Sequence, residues 1–162
     1  MSARTSLSVG DEAPDFALTD QHGQTIRLVD LRGLKAALVV FYPWAFSGIC
    51  GGELHAMQDQ LHELESDKVA LFTVSTDSMY ALRTFADREG FTFPMLSDFW
   101  PHGAVAQAYG VLHPEIGVAL RGTFLVDRDG VVRWSVVNGI SDARDISAYK
   151  GAVAALGSGV RG

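Results

Sequence analysis

The run Ala36-Ala37-Leu38-Val39-Val40-Phe41-Tyr42 carries no charge and no turn residue. Seven apolar residues without alternation read as a strand buried on both faces. Two further runs have the same character, Val69-Ala70-Leu71-Phe72-Thr73-Val74-Ser75 and Gly122-Thr123-Phe124-Leu125-Val126-Asp127. Strands of this kind need cover on each side. Between the first two, Leu54, Met57, Leu61 and Leu64 recur at three- and four-residue steps, which predicts one helix over Glu53 to Glu65. A strand, a helical crossover and a second strand make a parallel, right-handed unit.

The remaining segments fill in a mixed sheet. Asp15 to Leu18 and Thr25 to Leu28 flank the turn residues Asp20 to Gln24, predicting a small N-terminal β-hairpin. Asp77 or Ser78 can cap a helix whose apolar positions are Leu82, Phe85 and Ala86, ended by Gly90. Phe91 to Asp98 reads as a short extended piece, and His102 to Tyr109 as a short helix. Asp127-Arg128-Asp129-Gly130 is a tight turn, after which Val131 to Val137 runs back antiparallel. Asp145 to Leu156 forms a last helix. The order predicts an α/β fold of thioredoxin-like arrangement, with a mixed central sheet and helices on both faces. Residues 1–8 read as a flexible N-terminus, 9–157 as one domain and 158–162 as a flexible tail.

One cysteine in 162 residues cannot close a disulfide within the chain. With no apolar leader in Met1 to Val9, that points to the cytoplasm. A net charge of −6 argues against a nucleic-acid surface and against an anionic membrane as partner. No apolar stretch reaches the roughly 20 residues that a membrane helix needs.

Cys50 falls between the first buried strand and the helix that follows. A helix N-terminus favours a thiolate. Free cysteine has a pKa near 8.5, and moving a thiol down by about two units takes roughly 2.7 kcal/mol. A helix dipole supplies about 0.3 to 1 kcal/mol, up to about 2 when partly buried. A reactive sulfur here therefore wants a hydroxyl donor and a cation as well. Ser47, three residues earlier, is placed to offer the hydroxyl. Pro43 fixes the backbone at the strand end and can shield the sulfur. Gly48, Gly51 and Gly52 allow close backbone approach to a small ligand. Arg121, just before the third buried strand, is the candidate cation.

Pro43-Trp44-Ala45-Phe46-Ser47-Gly48-Ile49-Cys50 resembles the peroxiredoxin signature P-x-x-x-[ST]-x-x-C. Val9 to Phe16 is similar to that family's opening segment, and Arg121 to Asp127 to the strand bearing its active-site arginine. Phe91-Thr92-Phe93-Pro94 and Ser97 to Gly103 resemble the one-cysteine AhpE-type subgroup. The resemblance implies a thiol peroxidase needing no metal, haem or flavin. Cys50 would be the peroxidatic cysteine. Ser47 and Arg121 would hold the peroxide oxygens, backbone N–H groups near Ile49 and Cys50 would add donors, and Pro43 would shield the sulfur. Glu53 would orient the arginine. With no second cysteine, the sulfenic acid would be recycled by an external thiol: mycothiol, a mycoredoxin or a thioredoxin-like protein. Hydrogen peroxide, organic hydroperoxides or peroxynitrite would be the substrate, and a homodimer the assembly.

Each residue also has a plainer reading. A lone cysteine is often a small buried hydrophobe, an isolated Arg a surface ion-pair partner, and Ser47 simply a helix N-cap. The five histidines show no metal-ligand spacing with Cys50. Trp44, Phe46, Phe99 and Trp100 read as core or interface. A peroxide sensor, in which Cys50 oxidation changes a partner contact, uses the same residues and is the alternative function.

Overall fold

The computed structural model describes residues 7–139 and 145–157. The expected N-terminal hairpin is present as β1 (Ala17–Thr19) and β2 (Thr25–Arg27), paired antiparallel. The three buried runs become β3 (Ala36–Phe41), β4 (Val69–Ser75) and β6 (Arg121–Val126). The segment before His102 supplies β5 (Met95–Ser97), and Val132–Asn138 forms β7. Seven strands make one mixed sheet in the order β2-β1-β5-β4-β3-β6-β7. β3, β4 and β5 run parallel, while β6 pairs antiparallel with β3.

That topology decides where chemistry can occur. The loops leaving β3, β4 and β5 all emerge at the carboxyl edge of the sheet. Because β6 runs the other way, it begins at that same edge. Val40 pairs with Thr123, so Arg121 stands level with the chain just past β3. Ligand sites of open α/β sheets gather at such an edge.

The two faces of β3 carry two cores. Ala36, Leu38 and Val40 face Leu54, Met57, Leu64, Leu82, Phe85 and Tyr149. Ala37, Val39 and Phe41 face Phe16, Leu18, Leu28, Ala106 and Tyr109. The helices are therefore on both faces, as expected, but unevenly. The first core gathers α1 (Gly48–Asp59), α2 (Leu61–Leu64), α3 (Met79–Glu89) and α5 (Ile146–Gly157). The second is covered by the N-terminal loop, a 3-10 turn at Leu28–Leu31 and the short α4 (Ala104–Ala108).

Several local expectations are corrected. The single helix over Glu53 to Glu65 is two helices, because Gln60 leaves helical geometry at φ −116° and ψ 26°. The apolar spacing Leu54, Met57, Leu61, Leu64 runs straight across this break and so reports one helix. The helix also starts earlier than its apolar pattern, at Gly48, since its first turn is glycine-rich and carries no periodic signal. Ser78 caps α3 through the Ala81 amide; Asp77 does not. Trp44, Phe46, Phe99 and Trp100 are not core: each is exposed, Trp100 by 80%. The flexible N-terminus and tail lie outside the described residues, apart from Leu7, Ser8 and the expected boundary itself.

Candidate active site

Cys50 sits in the first turn of α1, at its third helical residue, and is wholly buried. Ser47 is the N-cap: its Oγ accepts from the Cys50 amide at 3.2 Å, and its carbonyl accepts from the Gly51 amide at 2.8 Å. The helix therefore begins because Ser47 satisfies donors that the first turn leaves open. The hydroxyl hydrogen of Ser47 is left to point elsewhere. The Cys50 amide donates to this cap.

Arg121 reaches the sulfur from the first residue of β6. Side chains alternate along a strand, so Arg121, Thr123 and Leu125 share the face that packs under α1 and α5. Leu125 belongs to that core, and Thr123 Oγ1 is 2.5 Å from the Tyr149 hydroxyl of α5. At the open end of the row, Arg121 Nη2 lies 3.4 Å from Cys50 Sγ. Its other terminal nitrogen, Nη1, donates to Glu53 Oε1. The Arg121 side chain is 2% exposed and that of Glu53 6%, so this is a buried ion pair. Glu53 is one turn beyond Cys50 on α1, so one guanidinium contacts two groups on the same helix face.

The strand must come close for this to work. A Cβ built on Gly122 would lie 2.8 Å from Val111 Cγ1 and 3.3 Å from Phe124 Cε1. A larger residue there would force Val111 to shift, and glycine lets β6 seat against the core beside Arg121.

The loop from Pro43 to Ser47 closes the site. Pro43 is buried at the end of β3. Phe46 has φ +68°, the single described non-glycine residue with positive φ. Its exposed ring lies tilted against that of Phe85, centroids 4.8 Å apart, with the Arg88 guanidinium 5.5 Å away.

The arrangement can hold negative charge on sulfur beside a permanent cation, with a hydroxyl and a helix N-terminus adjacent. The sequence-derived residues Cys50, Ser47, Arg121 and Glu53 are brought together, with Pro43 on the same loop. Sequence reasoning missed Gly122 and Asp77. The first is signalled only by a small residue next to Arg121. The second is signalled by a polar run, Ser75-Thr76-Asp77-Ser78, at the carboxyl end of a central strand. Among the described residues, no group of three or more His, Cys, Asp or Glu is placed to hold a metal ion. No helix there is long and apolar enough to cross a membrane.

Comparison with known proteins gives a consistent result. Residues 9–135 match the AhpC/TSA family. Alkyl hydroperoxide reductase E of Mycobacterium tuberculosis is 48% identical over 150 residues, covering 93% of this chain and 98% of the relative. The Mycobacterium bovis protein of the same name matches equally. Among solved structures, Mycobacterium tuberculosis AhpC superposes with a TM-score of 0.83 at 27% identity, covering 94% of this chain and 99% of that one. The peroxidoxin BcpB of the same organism gives 0.81, also at 27% identity, with the same coverage of both chains. The chain belongs to the AhpC/TSA family and is a one-cysteine peroxiredoxin, a thiol-dependent peroxidase of thioredoxin-like fold.

Proposed function

We propose that this chain reduces hydroperoxides, including alkyl hydroperoxides, at Cys50 and is returned to the thiol by an external reductant. The observation that carries the reading is the 3.4 Å approach of Arg121 Nη2 to a buried Cys50 Sγ. The thiolate attacks the terminal oxygen of the hydroperoxide. An S–O bond forms and the O–O bond breaks; sulfur is oxidised to sulfenic acid and the peroxide is reduced to an alcohol or water. The leaving oxygen takes one proton from solvent, which balances the step. Arg121 and the free hydroxyl hydrogen of Ser47 stabilise the charge that moves from sulfur to that oxygen. Glu53 holds the guanidinium in register, and Pro43 closes the loop over the sulfur.

Recycling takes two further thiols. The first condenses with the sulfenic acid to a mixed disulfide and releases water; the second takes that disulfide to Cys50 thiolate and an external disulfide. A low-molecular-weight thiol such as mycothiol, or a mycoredoxin- or thioredoxin-like protein, supplies them. The single cysteine supports this, since no second sulfur in the chain can serve. It equally supports a reducing, cytoplasmic setting. Two copies associate through the exposed aromatic residues of the carboxyl-edge loops, Trp44 and Phe46 after β3 and Phe99 and Trp100 after β5.

The test is repeated turnover. The reduced protein, supplied with alkyl hydroperoxide and a thiol regenerating system, consumes many equivalents of peroxide per chain. Consumption that stops after one equivalent, with reductant still present, contradicts the proposal.

A further inference from the structure

We propose that Asp77 is a positioning residue for the peroxidase reaction: its carboxylate holds the loop that carries Cys50 in the reactive geometry. Asp77 follows β4, which lies between β3 and β5 in the sheet. Its Oδ2 accepts from the Ala45 amide at 2.9 Å and from Ser75 Oγ at 2.7 Å. Its own backbone is fixed on both sides. The amide donates to Ser75 Oγ at 3.3 Å, and the carbonyl accepts from Ser97 Oγ at 2.6 Å. One residue thus links the ends of three neighbouring parallel strands, its side chain holding the β3 loop and the end of β4 and its carbonyl the end of β5. The group it holds, Ala45, sits in the loop between Pro43 and the α1 cap at Ser47.

The next residue shows why an anchor is needed. Phe46 is held at φ +68°, a conformation unfavourable for a bulky side chain. Such a conformation persists only where its surroundings over-determine it. The charge-assisted bond from Ala45 to Asp77 supplies a fixed point immediately before the strained residue. Ser47 and Cys50 then follow at a set height against Arg121. A misplacement of about 1 Å between reacting groups can cost a hundredfold in rate. Asp77 has no contact with the sulfur and acts only through the loop.

The inference rests on Cys50 being the peroxide-reactive sulfur, and its test separates the two. Cys50 oxidation by an alkyl hydroperoxide is followed by stopped flow in the full chain, beside Cys50 alkylation by iodoacetamide and the thermal midpoint. Asp77→Ala should oxidise ten- to a hundredfold more slowly, with alkylation unchanged or faster. Alkylation needs an available sulfur but no aligned peroxide. Asp77→Asn keeps one acceptor oxygen, which can take both bonds that Oδ2 accepts, and should stay within about threefold of the parent. Asp77→Glu keeps the charge but displaces the loop, so its oxidation should fall tenfold or more; it also serves if Asp77→Ala does not fold. Oxidation within twofold of the parent in both Asp77→Ala and Asp77→Glu overturns the inference. So does an equal fall in oxidation and alkylation, which marks a scaffold effect, and so does an Asp77→Asn variant as slow as Asp77→Ala. If the parent's Cys50 does not react with peroxide, the proposed function fails first, whatever Asp77 does.

Discussion

Arg121 Nη2 lies 3.4 Å from Cys50 Sγ although 71 residues separate them in the chain. The contact exists because β6 runs antiparallel to β3 and starts where β3 ends. Glu53, 68 residues before Arg121, completes the link from the α1 side.

Arg121→Lys should slow sulfenic acid formation by about a hundredfold. Lysine keeps the charge but cannot bridge Cys50 and Glu53 with one planar fork, and losing a charge-stabilising donor costs on the order of 10²–10³ in rate. Arg121→Ala should lose at least as much rate and also destabilise the fold by about 3–5 kcal/mol, since Glu53 loses a buried ionic partner. Stopped-flow oxidation and chemical denaturation of both variants check these outcomes.

Ser47 has two duties that substitution separates. Ser47→Ala removes the cap on the Cys50 amide and should cost about 1 kcal/mol, together with a clear fall in peroxide reactivity. Ser47→Thr keeps the hydroxyl and should retain most of both. If the two variants oxidise equally slowly, the hydroxyl does not act on the reaction.

Gly122→Ala should destabilise the protein by about 1–3 kcal/mol through overpacking against Val111. Val111→Ala in the same chain should recover part of that loss, because it removes the atom that the new Cβ meets. Thermal melts of the two single variants and the pair measure the coupling.

Asp127 gives the hairpin behind Arg121 a pH-dependent stability. Burial opposes its charge, but the Val131 amide, the Arg133 side chain and the Asp129 amide outweigh this and hold the carboxyl below its ordinary range. A lowered native value means that the unfolded chain binds the proton more readily. The contribution is therefore present above the ordinary carboxyl pKa of about 3.9 and is lost as pH falls through the lowered native value. The melting-temperature gap between the parent and Asp127→Asn should be widest near neutrality and should narrow in acid. A gap that widens in acid contradicts the assignment.

Much of the site is legible in the sequence because it is local. Pro43, Ser47 and Cys50 lie within one turn-and-helix segment, and the spacing from Ser47 to Cys50 is the spacing of an N-cap to the amide it satisfies. Arg121 is legible as a charged residue abutting a strand too apolar to carry one without cause. What is not legible is carried by distance or by backbone conformation. The Ala45–Asp77 bond spans 32 residues, and nothing in either residue type announces the other. The α1–α2 break leaves the apolar spacing intact, so periodicity alone reads through it. The four carboxyl-edge aromatics are open in the sequence between core and interface, and their exposure removes the core reading. Their hydrophobicity suggests burial, yet loops hold them outward at the edge where Cys50 lies.

The central claim is that Cys50, held beside Arg121, takes an oxygen atom from a hydroperoxide. Its most direct test is intact mass of the reduced protein after one equivalent of alkyl hydroperoxide. The account predicts one added oxygen atom on the parent chain, located at Cys50 by dimedone trapping and reversed by added thiol, and none on Cys50→Ser. An unmodified parent with the peroxide still present, or the same oxygen gain on Cys50→Ser, contradicts it.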